Sequence, residues 1–122
     1  MTKRIMVVED NDLNRKLFCD VLRANGFEVE PVADGSTMLA TARAMAPDLI
    51  IMDIQLGGIS GVDLIEAAKR DRLLSTIPVL AVTAFAAKGD EERIRAAGAA
   101  GYLSKPVSIS PFMTAVRDLL PV

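Results

Sequence analysis

Five polar residues stand where short apolar runs end, and their types suit the handling of a phosphoryl group. Glu9 and Asp10 follow Ile5-Met6-Val7-Val8, Asp53 follows Leu49-Ile50-Ile51-Met52, Thr83 follows Pro78-Val79-Leu80-Ala81-Val82, and Lys105 stands just beyond Gly101-Tyr102-Leu103. Three carboxylates cannot sit close together and stay ionised without compensation. A hard divalent cation supplies it; magnesium prefers oxygen ligands and keeps several waters, leaving positions for a phosphoryl oxygen. Lys105 brings a compact positive charge suited to such an oxygen. Thr83 brings a hydroxyl donor, and the small Ala84 after it leaves room for an incoming group. Each residue taken alone has a plainer explanation: a strand-end acid facing water, a solvated loop lysine, a threonine hydroxyl satisfied by backbone. That explanation serves for Glu9 or Asp10 singly and weakens once all these groups share one rim.

Whether they share a rim depends on the elements between them. Short runs of unbroken apolar residues are strands buried on both faces. Between the runs, apolar residues recur at helical spacing: Leu13, Leu17, Phe18, Val21 and Leu22 up to Asn25-Gly26, then roughly Ser36–Ala46 before Pro47. A second strand is predicted near Phe27–Val32. The glycine-rich loop Gly57-Gly58-Ile59-Ser60-Gly61 leads into a helix through Val62, Ile65 and Ala68. Asp90, Glu91 and Glu92 open another helix that runs to about Ala97, where acids suit the N-terminus. A last helix spans about Ser110 to Leu120 and stops at Pro121. Strand and helix alternate five times, which predicts an α/β fold with a doubly wound, five-stranded parallel sheet. In the flavodoxin-like order 2-1-3-4-5, strands one and three are neighbours, and the switch point between them gathers Glu9, Asp10 and Asp53 in one crevice.

Composition narrows the function. The 122 residues suffice for one core, with 51% hydrophobic and 25% charged residues, as in a folded globular domain. The net charge of -2 gives no basic excess for a duplex, so no nucleic-acid partner is expected. There is no histidine, which excludes histidine-activated nucleophiles, histidine metal sites and a phosphohistidine donor within this chain. The single cysteine, Cys19, cannot form an intrachain disulfide and fits a reducing compartment as a small buried side chain. No run reaches membrane-spanning length and no signal peptide is visible, so a cytoplasmic monomer without membrane insertion is expected. Residues 1–122 read as a single domain with no output domain attached.

The ordered set Glu9-Asp10-Asn11, Met52-Asp53, Thr83-Ala84 and Lys105-Pro106 resembles the CheY-like receiver domain of response regulators over nearly the whole chain. The stretch from Thr83 to Ile94, with Glu9-Asp10-Asn11-Asp12-Leu13-Asn14 and Met52-Asp53-Ile54-Gln55-Leu56, is similar to DivK-type single-domain regulators of cell-cycle and polarity signalling. The resemblance implies that Asp53 accepts a phosphoryl group from a histidine kinase or a histidine phosphotransfer protein. It implies that Asp10 and Asp53 bind Mg2+ directly, Glu9 through water, and Gln55 by its backbone carbonyl. Thr83 and Lys105 would contact the phosphoryl group, and Tyr102 would turn inward as Thr83 moves. The Lys105–Pro106 peptide is expected to be cis, an arrangement open essentially to X-Pro bonds alone. Output would pass by protein contacts through the surface of the fourth helix, fifth strand and fifth helix, with Lys88, Arg93, Tyr102 and Arg117 as candidates, in cell-cycle, polarity or stress control. One departure stands out: receivers usually carry proline where this chain has Gly57, which leaves the loop beside Asp53 freer.

Three other readings compete. A flavodoxin-like cofactor site needs phosphate donors in the first loop, where this chain has Glu9-Asp10-Asn11-Asp12; tryptophan is absent and tyrosine occurs once. An aspartyl phosphohydrolase needs a second acid two residues after the nucleophile, where this chain has Gln55. Thus no enzyme acting on other substrates is expected, only a chain that promotes its own phosphorylation and dephosphorylation. The remaining alternative is a phosphorylation-independent binding module that modulates a histidine kinase. The presence of Asp10, Asp53, Thr83 and Lys105 together argues against it.

Overall fold

The computed structural model of the chain describes residues 2–84 and 89–120. These form strands β1 (Arg4–Val8), β2 (Glu28–Val32), β3 (Leu49–Asp53), β4 (Gln55–Leu56), β5 (Ile59–Ser60), β6 (Val79–Thr83) and β7 (Gly101–Ser104). The helices are α1 (Asp12–Ala24), α2 (Met38–Met45), α3 (Gly61–Arg70), α4 (Asp90–Ala97) and α5 (Ile109–Leu119). The five longer strands pair in parallel in the order β2-β1-β3-β6-β7. With the two short strands set aside, this is the expected 2-1-3-4-5 arrangement.

Those short strands are where the fold departs from the sequence reading. The stretch expected to be a glycine-rich loop forms an antiparallel hairpin, Gln55 opposite Ser60 and Leu56 opposite Ile59. The second helix is also shorter than expected. A 3-10 turn over Gly35–Thr37 precedes it, and the Asp34 carboxylate caps that turn by accepting the Ser36 N–H at 2.9 Å.

Every side chain of β3 and β6, and all of β1 beyond Arg4, is buried. Alternate residues face opposite ways along a strand, so the sheet divides two apolar layers. Met6, Val8, Ile50, Met52, Val79 and Ala81 pack with Met38 of α2, Leu64 and Ile65 of α3 and Ile94 of α4. Ile5, Val7, Leu49, Ile51, Leu80 and Val82 pack with Cys19 and Leu22 of α1 and Phe112, Met113 and Val116 of α5. Each such aliphatic side chain contributes roughly 1.5–3 kcal/mol by leaving water. At the sheet edge, β2 is blunted by Glu28, Glu30 and Pro31.

Two junctions set the rim. Asn11 accepts the Asn14 N–H at 2.9 Å and starts α1 directly after Glu9-Asp10, so the acidic pair is fixed between strand and helix. At the other junction, Gly61 opens α3 against the chain leaving Asp53. Its N–H donates to the Ile54 carbonyl at 3.0 Å. A Cβ there would lie 2.6 Å from Ile54 Cα and 2.8 Å from the Asp53 carbonyl oxygen, both backbone. Gly61→Ala must therefore displace the segment after Asp53, and a loss of about 1–3 kcal/mol in chemical denaturation is expected. A loss within measurement error would show that this backbone shifts without cost.

Candidate functional site

The parallel order brings the carboxyl ends of β1 and β3 side by side, and the acids meet there. One carboxylate oxygen each from Glu9, Asp10 and Asp53 lie within 4.8 Å of one another. Glu9 and Asp53 are buried, at 1% and 4% exposure, whereas Asp10 is exposed. From the end of β7, the Lys105 ammonium reaches both buried acids: 3.1 and 3.2 Å to the two Glu9 oxygens and 3.4 Å to Asp53 Oδ2. Thr83 is buried at the end of β6, and its carbonyl accepts the Lys105 N–H at 2.8 Å. The Lys105–Pro106 peptide is cis.

Burial pushes the Glu9 carboxyl above its ordinary range, and the charge of Asp53 pushes it the same way; Lys105 opposes both. Three formal negative charges thus face one ammonium among the described residues of this cluster. The donors are all oxygen, which is the set a hard divalent cation takes. The residues therefore fit magnesium on both charge and donor type.

Several supporting contacts were not legible in the sequence. The Arg15 guanidinium donates to the Glu9 carbonyl at 2.9 Å, and the Asn14 amide reaches Glu9 Oε1 at 3.5 Å. Both arise from the first turn of α1 folding back over β1, and no spacing signals that. The backbone N–H of Gln55 donates to Asp53 Oδ1 at 3.0 Å, and that of Gly57 to Asp10 Oδ2 at 3.1 Å. Main-chain donors of this kind are invisible to a reading based on side-chain type.

The candidate output residues do not all converge. Tyr102 is half-buried, pairs in register with Ala81 and packs against the layer that contains α4. Its hydroxyl is raised above the ordinary value by desolvation and then by the charges of Glu91 and Asp90 at the start of α4. Arg93 lies on α4 and pairs with Asp90 at 3.6 Å. Arg117 is drawn elsewhere: from α5 it donates to the Asn25 side chain at the end of α1, at 3.0 Å. Lys88 lies outside the described residues.

The family pattern described as the response regulator receiver domain matches residues 5–117. The polar-differentiation response regulator DivK of Brucella ovis is 50% identical over 120 residues, covering 98% of each chain. Its namesake in Brucella anthropi is 49% identical over the same share. Among solved structures, the Vibrio cholerae chemotaxis protein CheY4 matches with a TM-score of 0.92 at 26% identity, over 98% of this chain and all of that one. A CheY-like receiver domain protein from Methanospirillum hungatei matches with a TM-score of 0.89 at 27% identity, over 97% of this chain and 93% of that one.

The raised Glu9 carboxyl has a consequence for stability. As pH rises from 4.5, the unfolded chain releases this proton before the folded one does. Glu9 therefore subtracts stability across the window from 4.5 up to its higher folded value, and by a constant amount above it. In metal-free buffer at pH 7, Glu9→Gln should raise Tm. The gain should fade as the pH is lowered towards 4.5. A lower Tm for Glu9→Gln at pH 7 would mean that the Lys105 pairing outweighs the burial.

Proposed function

The chain belongs to the response regulator receiver family, and on that premise we propose that Asp53 is its phosphoacceptor, loaded from a phosphohistidine of a sensor histidine kinase or a histidine phosphotransfer protein. The observation that carries this reading is the buried Asp53 carboxylate with the Lys105 ammonium 3.4 Å from one oxygen and the acids Glu9 and Asp10 alongside. In the transfer, an Asp53 oxygen attacks phosphorus in line. The P–O bond forms as the P–N bond of the phosphoramidate breaks, and the electron pair leaves with the donor imidazole. Such chemistry needs positioning and charge neutralisation above all.

Each residue then has a task. Asp10 and Asp53, with Glu9 behind them and the Gln55 carbonyl alongside, would hold Mg2+. The ion would offset negative charge on the phosphoryl oxygens. Esterification removes the formal charge of the Asp53 carboxylate, which frees Lys105 to pair with a phosphoryl oxygen. The Thr83 hydroxyl donates to another. The inward shift of Thr83 then favours the state in which Tyr102 has turned in, a population shift biased by the phosphoryl contacts.

The acyl phosphate is hydrolysed in place, so the chain turns over no substrate but its own phosphoryl group. The signal leaves by protein contact, with Arg93 and Tyr102 near α4 as the core of the surface and Lys88 and Arg117 as outlying candidates. The DivK relatives carry polar differentiation in their name, and a role in cell-cycle or polarity control is proposed here by that likeness. Among the described residues no helix is long and apolar enough to cross a membrane; action in the cytoplasm, as a monomer, belongs to the same proposal.

Intact mass after incubation with Mg2+ and acetyl phosphate tests the chemistry. A single added phosphoryl group is expected, absent in Asp53→Ala and absent when EDTA replaces the metal. If neither acetyl phosphate nor a phosphorylated kinase domain gives an adduct, phosphotransfer is refuted and the binding-module reading takes its place.

A further inference from the structure

We propose that β4 together with the first residue of its turn, Gly57, works as a two-toothed main-chain donor that sets the orientation of two carboxylates, and that the Gly57 N–H is the tooth that positions Asp10 for a divalent cation. The inference rests on the magnesium reading above. Gln55 N–H donates to Asp53 Oδ1 at 3.0 Å, and Gly57 N–H to Asp10 Oδ2 at 3.1 Å. The two donors are two residues apart, and on an extended backbone such N–H groups point to the same side. One short segment therefore reaches both acids.

Asp10 needs this help more than its neighbours do. Glu9 and Asp53 are buried and share Lys105, whereas Asp10 is exposed, and Gly57 is the hydrogen-bond partner its carboxylate has among the described residues. A carboxylate has about four lone-pair sites. It can keep the N–H on one of them and offer the rest to a cation, so the contact orients the ligand without occupying it.

The turn makes the identity of residue 57 matter. Leu56 pairs with Ile59, so Gly57 and Gly58 are the two central turn residues, and Gly58 has φ +78. A left-handed residue at the third of four turn positions is the mark of a type II turn, at whose second position proline is favoured. Leu56 before it is in a strand, the conformation a residue preceding proline requires. Proline would fit the backbone at 57 and would delete the donor, since it has no N–H. Alanine would keep the donor: a Cβ at Gly57 meets Asp10 Oδ2 alone, at an ordinary 3.6 Å.

The comparison is therefore Gly57→Pro against Gly57→Ala. Each is checked for fold by circular dichroism and Tm, then titrated with Mg2+ by isothermal calorimetry. Gly57→Ala should bind as the wild type does. Gly57→Pro should bind about tenfold more weakly, the low end of what an outer partner of a metal ligand contributes. Equal or tighter binding by Gly57→Pro would overturn the inference. A wild type that binds no Mg2+ would instead overturn the metal reading. The contact itself is tested without metal by amide hydrogen exchange: Gly57 should exchange faster in Asp10→Ala than in the wild type, and an unchanged rate would overturn the inference whatever the metal does.

Discussion

The structure turns on one crowded electrostatic arrangement: Lys105 is held between two carboxylates, Glu9 and Asp53, that are both out of water. Taking ionised groups from water is costly, and a single ammonium cannot satisfy two acids fully. The imbalance shows in the raised Glu9 carboxyl. A cluster of this kind lowers the stability of the metal-free protein, so the two apolar layers must supply the surplus that keeps it folded. The aliphatic residues of β1, β3 and β6, buried on both faces of the sheet, are the source of that surplus. The sheet is thus the support for a site that would open a less cohesive fold.

The same arrangement explains why close backbone approach recurs around Asp53. The residue stands at the end of a central strand, and the chain must turn at once to carry α3 back across the sheet. Gly61 permits that turn by allowing its own backbone to lie on that of Ile54. The hairpin between them has little apolar surface of its own, with Gln55 and Ser60 exposed. It is held by Leu56 and Ile59 packing on the layer below and by its N–H contacts to the two acids. Order in this segment and order in the acids support each other.

Much of this was legible in the residues. The apolar runs ending in Glu9, Asp53, Thr83 and Lys105 marked strand ends, and alternation with helical spacing implied a parallel sheet. From those two facts the gathering of the acids followed. The hairpin β4–β5 was not legible, because two-residue strands are too short to show a period and glycine reads as loop. Nor were the contacts of Arg15 and Asn14 to Glu9, which depend on how α1 lies over β1. The family resemblance assigns Arg117 to a surface beside α4. Its link to Asn25 comes from side-chain reach across to α1, which helical spacing does not encode.

The main-chain hydrogen bond from Lys105 to the carbonyl of Thr83 joins two residues to which the proposed reaction gives different tasks. It ties the backbones of the two residues together, so the roots of the ammonium-bearing and hydroxyl-bearing side chains are held side by side. Such a splice works as a hinge pin: each side chain swings on its own bonds while the spacing between their roots stays the same.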